Sequence, residues 1–172
     1  MRLLLNGWFL VHAPHTGSAQ YTRRLLEFLP QVAPEHEYHV LLPGDISADT
    51  QYATRNTFHV SRFTFHASPS SPSDWAKLRF EQVAFPRACR RLKADVAHVP
   101  YWGPPLVSPI PLVVTVHDLI PLLLPEYRGS LLARLYVALA SAGARGARLV
   151  LTDSEASRRD VLARLRLPPE RV

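Results

Sequence analysis

The chain has 172 residues, of which 47% are hydrophobic and 20% charged, with a formal net charge of +6. That is the size and composition of one large soluble domain able to bury a real core. Its single cysteine, Cys89, excludes an internal disulfide, and no run approaches the roughly 20 apolar residues of a membrane-spanning helix.

Arg2 to Leu5 reads as a first strand. The apolar stretch to Val11-His12-Ala13 loosely imitates a signal peptide, but Asn6-Gly7 interrupts it and leaves too short an apolar region. Gly7 to Ser18 reads as a loop, followed by a helix from Ala19 to Val32 whose last turn Pro30 is expected to break. Tyr21, Leu25, Phe28, Leu29 and Val32 keep helical spacing, with Arg23, Arg24 and Glu27 off that stripe. Glu37 to Leu42 is expected as a second strand, closed by Pro43-Gly44, and Thr57 to Val60 as a short third. Ser68 to Ser73 reads as a surface loop. Asp74 to Arg91 follows as a helix, N-capped by Ser73 and broken or kinked at Pro86. Val96 to Val99 and Pro111 to Val116 are the fourth and fifth strands. Ser130 to Ala142 makes a long helix ended by Gly143 and Gly146. Arg148 to Leu151 is the sixth strand, and Thr152-Asp153-Ser154-Glu155 reads as a capping box for a helix running to Leu165.

Short apolar runs alternating with amphipathic stretches predict an α/β fold, a Rossmann-like doubly wound parallel sheet in one domain over 1–172. No internal repeat is visible. The ending Pro168-Pro169-Glu170-Arg171-Val172 reads as a turn into another strand, so a fragment or half of a larger protein is expected.

Ligands of open parallel sheets bind beyond the carboxyl ends of the strands, where strand order reverses. With the order 3-2-1-4-5-6, that point lies between the first and fourth strands. After the first strand come Asn6, Gly7, His12, His15 and Thr16-Gly17-Ser18. The end of the fourth carries His98, then Pro100-Tyr101-Trp102-Gly103; the fifth supplies His117-Asp118 and the sixth Thr152-Asp153-Ser154. Polar and aromatic residues thus gather at one edge four times.

Thr16-Gly17-Ser18-Ala19 opens a helix, where free N–H groups and the helix dipole suit a phosphate, or else serve an ordinary cap. It is neither a G-x-G-x-x-G fingerprint nor a P-loop. Tyr101 and Trp102 either line a sugar or acyl site or pack at the surface. His117 is suited to bond a hydroxyl or shuttle a proton, with Asp118 orienting it or capping the segment that follows. The apolar run from 119 to 124 is expected to cover the core edge, with a membrane-facing lip as the other reading. The spacings His12/His15 and His36/His39 lack the Cys or carboxylate partners of a metal set, and no metal is expected.

The stretches TGSAQYTRRLLEFL, ADVAHVPYW, VVTVHDLIPLLLPEYRG and ARLVLTDSEASRRDV resemble, in order and spacing, the N-terminal domain of family-4-type retaining glycosyltransferases. The resemblance covers almost the whole chain and implies the N-terminal half of a GT-B fold, two Rossmann-like domains facing across a cleft. It implies that Thr16, Gly17 and Ser18 approach the donor diphosphate and that His117, with Asp118 beside it, contacts the donor sugar. His12, Tyr101, Trp102 and Ser154 then fall on the acceptor side. The family loop often reads Gly-Gly-x-Gly, and here Thr16 and Ala19 stand for two of its glycines, narrowing the backbone's approach to a phosphate. The C-terminal donor-binding domain of such enzymes is absent from this sequence, so the chain alone is expected not to turn over a sugar nucleotide.

The expected partners are therefore a nucleotide sugar, as substrate rather than cofactor, a glycan or lipid-linked acceptor, and a donor domain in cis or trans. The other reading is a non-catalytic module that binds a glycan or a partner. A cytoplasmic location is expected, with peripheral contact to anionic membrane through the arginine-rich surface. Charge alone suggests nucleic acid, but no recognition motif supports a specific one.

Overall fold

A computed structural model describes residues 1–44, 62–69, 73–127 and 129–172. Six parallel strands form one sheet in the order β3-β2-β1-β4-β5-β6. They are β1 (Arg2–Asn6), β2 (Glu37–Pro43), β3 (Phe63–Ser68), β4 (Val96–Val99), β5 (Leu112–Thr115) and β6 (Leu149–Leu151). The order reverses between β1 and β4, as the sequence predicts. Near-continuous apolar runs suit strands covered on both faces, and Leu4, Leu5, Val40, Ala97, Val99, Val114 and Val150 are buried.

The third strand among the described residues is Phe63–Ser68, and the expected strand at 57–60 falls outside the described residues. Of the expected surface loop from Ser68 to Ser73, Ser68 instead closes β3 and pairs with Gly44, while 70–72 lie outside the described residues.

Two core clusters flank the sheet. The smaller joins Leu5, Val40, Leu42 and Phe63 to Leu26 of helix α2 (Gly17–Val32). The larger holds Leu4, Val99, Val114 and Val150 against Phe80, Phe85, Ala144 and Val161. Cys89 is in this larger cluster, and burial pushes its thiol up to about 12.

Several boundaries differ from expectation for physical reasons. Trp8–His12 forms a short helix α1 where a loop was expected, burying Trp8 and Leu10. Pro30 is accommodated inside α2, which ends two residues later; its missing N–H removes one bond of the ladder, to the Leu26 carbonyl. Asp74–Arg79 (α3) passes through a π-helical segment, Phe80–Ala84, into Phe85–Arg91 (α4). Widening the turn just before Pro86 accommodates its ring and missing N–H without breaking the helix. After the single turn Ile120–Leu123 (α5), helix α6 (Leu131–Gly146) contains both glycines expected to end it. A Cβ on Gly143 would stand 2.8 Å from the carbonyl oxygens of Pro104 and Pro105, so this glycine lets the loop after β4 lie against the helix. The last long helix, α7 (Glu155–Leu165), is capped by Ser154, not Thr152. No helix among the described residues is long and apolar enough to cross a membrane.

Candidate functional site

His117 stands just beyond β5, at the carboxyl edge of the sheet. Its Nδ1 is 2.8 Å from Oδ2 of Asp153, which stands just beyond the neighbouring β6. A carboxylate only accepts, so Nδ1 carries the proton in that contact. Nε2 lies 3.3 Å from the carbonyl oxygen of Pro100, at the end of β4. The backbone oxygen of His117 accepts from Ser157 Oγ at 2.7 Å, which ties it to the first turn of α7. The ends of β5 and β6 and the first turn of α7 thus fix the ring.

Of the two roles expected for Asp118, the structure shows the cap and not the orienting acid: its Oδ1 accepts from the amide of Ile120, the first residue of α5, at 3.0 Å. Asp153 takes the orienting place. Adjacency in sequence could not separate the two roles of Asp118, whereas the register of β5 with β6 brings Asp153 to the ring.

Tyr21 of α2 meets His117 edge-on, with ring centroids 5.0 Å apart. Its hydroxyl accepts from Thr115 Oγ1 at 3.3 Å, and Thr115 Oγ1 lies 2.9 Å from His98 Nε2. Burial pushes His98 down to about 4, so a neutral ring sits beneath the site. Tyr21 also brings in the start of α2, because Gly17 is one turn, about 6 Å of helix axis, before it.

Thr16 caps α2: its Oγ1 accepts from the Ala19 amide at 3.4 Å and donates to the Ala13 carbonyl at 2.8 Å. Ala19 is fully buried, which explains a methyl group where the family loop often has glycine. A Cβ on Gly17 would meet nothing within 4 Å, so the space over Gly17 and half-buried Ser18 is open. Gly17, Ser18 and His117 therefore belong to one region of the edge.

The acceptor-side candidates divide. His12 ends α1 with its ring 4.4 Å from that of Trp8, and burial lowers its pKa. Ser154 is a helix cap, accepting from the Ser157 amide at 3.1 Å. Trp102 is half-buried and lines a cavity described below. Tyr101 instead turns inward, edge-on to Phe9, and its pKa is raised by burial and then by the charge of Glu81.

Around Tyr101 lies a cluster that the sequence reading did not single out. Glu81 is fully buried in the π-helical segment. Its Oε1 accepts from Tyr136 Oη at 3.0 Å and lies 3.4 Å from Lys77 Nζ, which is also 2.5 Å from Tyr136 Oη. Burial raises the Glu81 carboxyl, against the opposing pull of Lys77. The Lys77 ammonium also lies 4.1 Å from the Tyr136 ring centroid, a cation–π distance. The signal available in sequence was the i,i+4 spacing of Lys77 and Glu81, which puts them on one face of the helix. The cluster holds the 101–103 loop, since Gly103 leaves no room for a Cβ against Tyr136, Tyr101 and Glu81.

Among the described residues no three His, Cys, Asp or Glu side chains gather as metal ligands. Members of the two histidine pairs have other partners: His39 Nδ1 meets His66 Nε2 of β3 at 2.9 Å, while the His12 ring lies tilted against Trp8.

No curated protein matches the chain at a significant level. The family model described as Glycosyltransferase Family 4 matches residues 15–172, which takes in α2, the His117 edge and α7.

Proposed function

The chain belongs to glycosyltransferase family 4, and on that premise we propose that it is the N-terminal, acceptor-side domain of a retaining enzyme. The enzyme moves a sugar from a nucleotide-sugar donor to a hydroxyl of a glycan or lipid-linked acceptor, without a metal or other cofactor. A second Rossmann-like domain, in cis or in trans, holds the nucleotide, and the chain by itself is inactive. It works in the cytoplasm, with peripheral contact to the inner face of an anionic membrane.

The observation that carries this reading is the fixed ring of His117 beside the open start of α2. Asp153 accepts from Nδ1 and the hydroxyl of Ser157 donates to the backbone oxygen of His117, so the ring's orientation is set before a ligand arrives. A preorganised polar group at a reacting centre stabilises developing charge at little reorganisation cost. The N–H groups of Gly17 and Ser18, with the dipole of a 16-residue helix behind them, suit the departing diphosphate.

The test is reconstitution. The purified chain is mixed with a family donor domain and radiolabelled nucleotide sugars, and transfer is followed with each component omitted in turn. Transfer only when both halves are present is expected. Transfer or donor hydrolysis by the chain alone would defeat the two-part reading.

A further inference from the structure

The N-terminal turns of α3 and α6 stand apart at the carboxyl edge of the sheet and leave a cavity of about 340 Å³. Trp75, Leu78, Trp102, Leu135, Tyr136 and Leu139 make most of its apolar wall. The volume is at the lower end of the range for small-molecule sites and too small for a helix about 10 Å across. A narrow chain fits that space and a helix does not.

The rim is unusual for a soluble surface. Trp75 is 68% exposed, Tyr127 61%, Leu131 83% and Leu135 51%, and all but Leu131 line the cavity itself. Large apolar side chains grouped around one opening mark a binding surface rather than scatter. Trp and Tyr are the residues that settle at the level of lipid headgroups. A second cavity, of about 210 Å³, shares Pro121 and Val137 with the first and extends the apolar surface along α6.

The cavity is joined to the His117 region by two short connections. Trp102 is two residues beyond Pro100, whose carbonyl faces His117, and Pro121 lies in the turn that Asp118 caps. A polar contact is also on offer: an ammonium has three N–H groups, and Tyr136 and Glu81 engage two of those on Lys77.

We propose that this cavity binds the aliphatic chain of an amphiphilic acceptor presented by a lipid bilayer, with Trp75, Tyr127, Leu131 and Leu135 resting on the bilayer surface. The word acceptor rests on the glycosyltransferase reading, whereas the binding of an aliphatic chain is tested without any transfer reaction.

Two of the three tryptophans, Trp75 and Trp102, line the cavity, and the third, Trp8, is buried elsewhere. Bromoundecanoate added below its micelle concentration is expected to quench tryptophan emission saturably, and plain undecanoate to compete it away. Ala133→Phe, which fills the cavity, is expected to weaken the effect about tenfold. Val32→Asp, on an exposed residue of α2 outside the cavity lining, leaves the effect unchanged. In a separate arm, the chain co-sediments with vesicles of phosphatidylcholine and phosphatidylglycerol, and the rim variant Leu135→Asp reduces this about tenfold. Quenching that does not saturate, or that survives Ala133→Phe, overturns the site. Probe binding without vesicle binding overturns the bilayer source. A concentration-dependent dimer, dissolved by Leu135→Asp and blocking the probe, would show that a second copy is the occupant and overturns the proposal. None of these results bears on transfer to a soluble acceptor, so failure here is distinguishable from failure of the enzymatic reading.

Discussion

Asp153 stands beside His117 because β5 and β6 pair in register. Thr115 lies opposite Leu151, and the residues two places further along each strand meet with 2.8 Å between Nδ1 and Oδ2. The carboxylate acts through the ring, so Asp153 is a positioning residue. In the assembled enzyme His117→Ala is expected to lower kcat about a hundredfold, the scale of losing one preorganised group at a reacting centre. Asp153→Asn keeps an acceptor oxygen but loses the charge, and its effect is expected to be smaller. Because the two act as a unit, the double variant should be no slower than His117→Ala alone. Steady-state kinetics on the three variants check this, and additive losses would count against the pairing.

Gly17 offers a clean separation of folding from ligand approach. A methyl group there meets nothing within 4 Å, and alanine is a better helix former by up to about 1 kcal/mol. Gly17→Ala is therefore expected to leave urea stability equal or higher. The same methyl occupies the space proposed for the diphosphate, so kcat/KM for the donor should fall. A variant as active as the parent would remove Gly17 from the donor site.

Acid sensitivity is expected to come partly from His98. Its folded value of about 4 lies below the ordinary 6.5 of a histidine, so between those limits the unfolded chain binds the proton and the folded one does not. Stability is then fully present above the unfolded value and is lost as pH falls through the window. A shift of that size is worth about 3 kcal/mol in all. His12, His39 and His66 are lowered too, burial being the largest cause in each, and pull the same way. His98→Gln should therefore flatten, not abolish, the fall. Urea midpoints measured across this pH range would show it, and an unchanged slope would mean that another group governs acid unfolding.

The two glycines of α6 should respond in opposite directions. Gly143→Ala sets a methyl 2.8 Å from two backbone carbonyl oxygens, which cannot rotate away as a side chain could. A loss of about 1–3 kcal/mol is expected, the usual scale of overpacking. At Gly146 the nearest atom is the Leu106 carbonyl oxygen at 3.8 Å, an ordinary contact, so alanine should gain a few tenths up to about 1 kcal/mol. Thermal melts of the two variants decide the matter.

What the sequence made legible was whatever depends on local apolar pattern. β4 is found at Val96–Val99 as expected, and the sheet order follows from alternating strands and helices. The failures share a cause in tertiary contact. Gly143 and Gly146 look like stop signals until the packing of Pro104 and Pro105 on the helix is known. Five residues, Trp8–His12, are too few to display a helical period. Asp118 and Asp153 cannot be ranked without strand register. Tyr21 was readable as part of an apolar stripe, and only the position of Thr115 reveals its hydroxyl contact. Tyr101 read as a site aromatic or a surface one, and the ring it packs on, Phe9, is far away in sequence.

The protein's one thiol offers a use of a different kind. Cys89 is 1% exposed, and with a value of about 12 it holds almost no thiolate at neutral pH. Alkylating reagents attack the thiolate, so the native state should be inert to them and only an opened core should react. With no competing cysteine in the chain, the rate of labelling counts core-opening events directly. Any ligand, partner domain or membrane that slows the labelling of Cys89 would be reporting, from inside the protein, how firmly it clamps the fold shut.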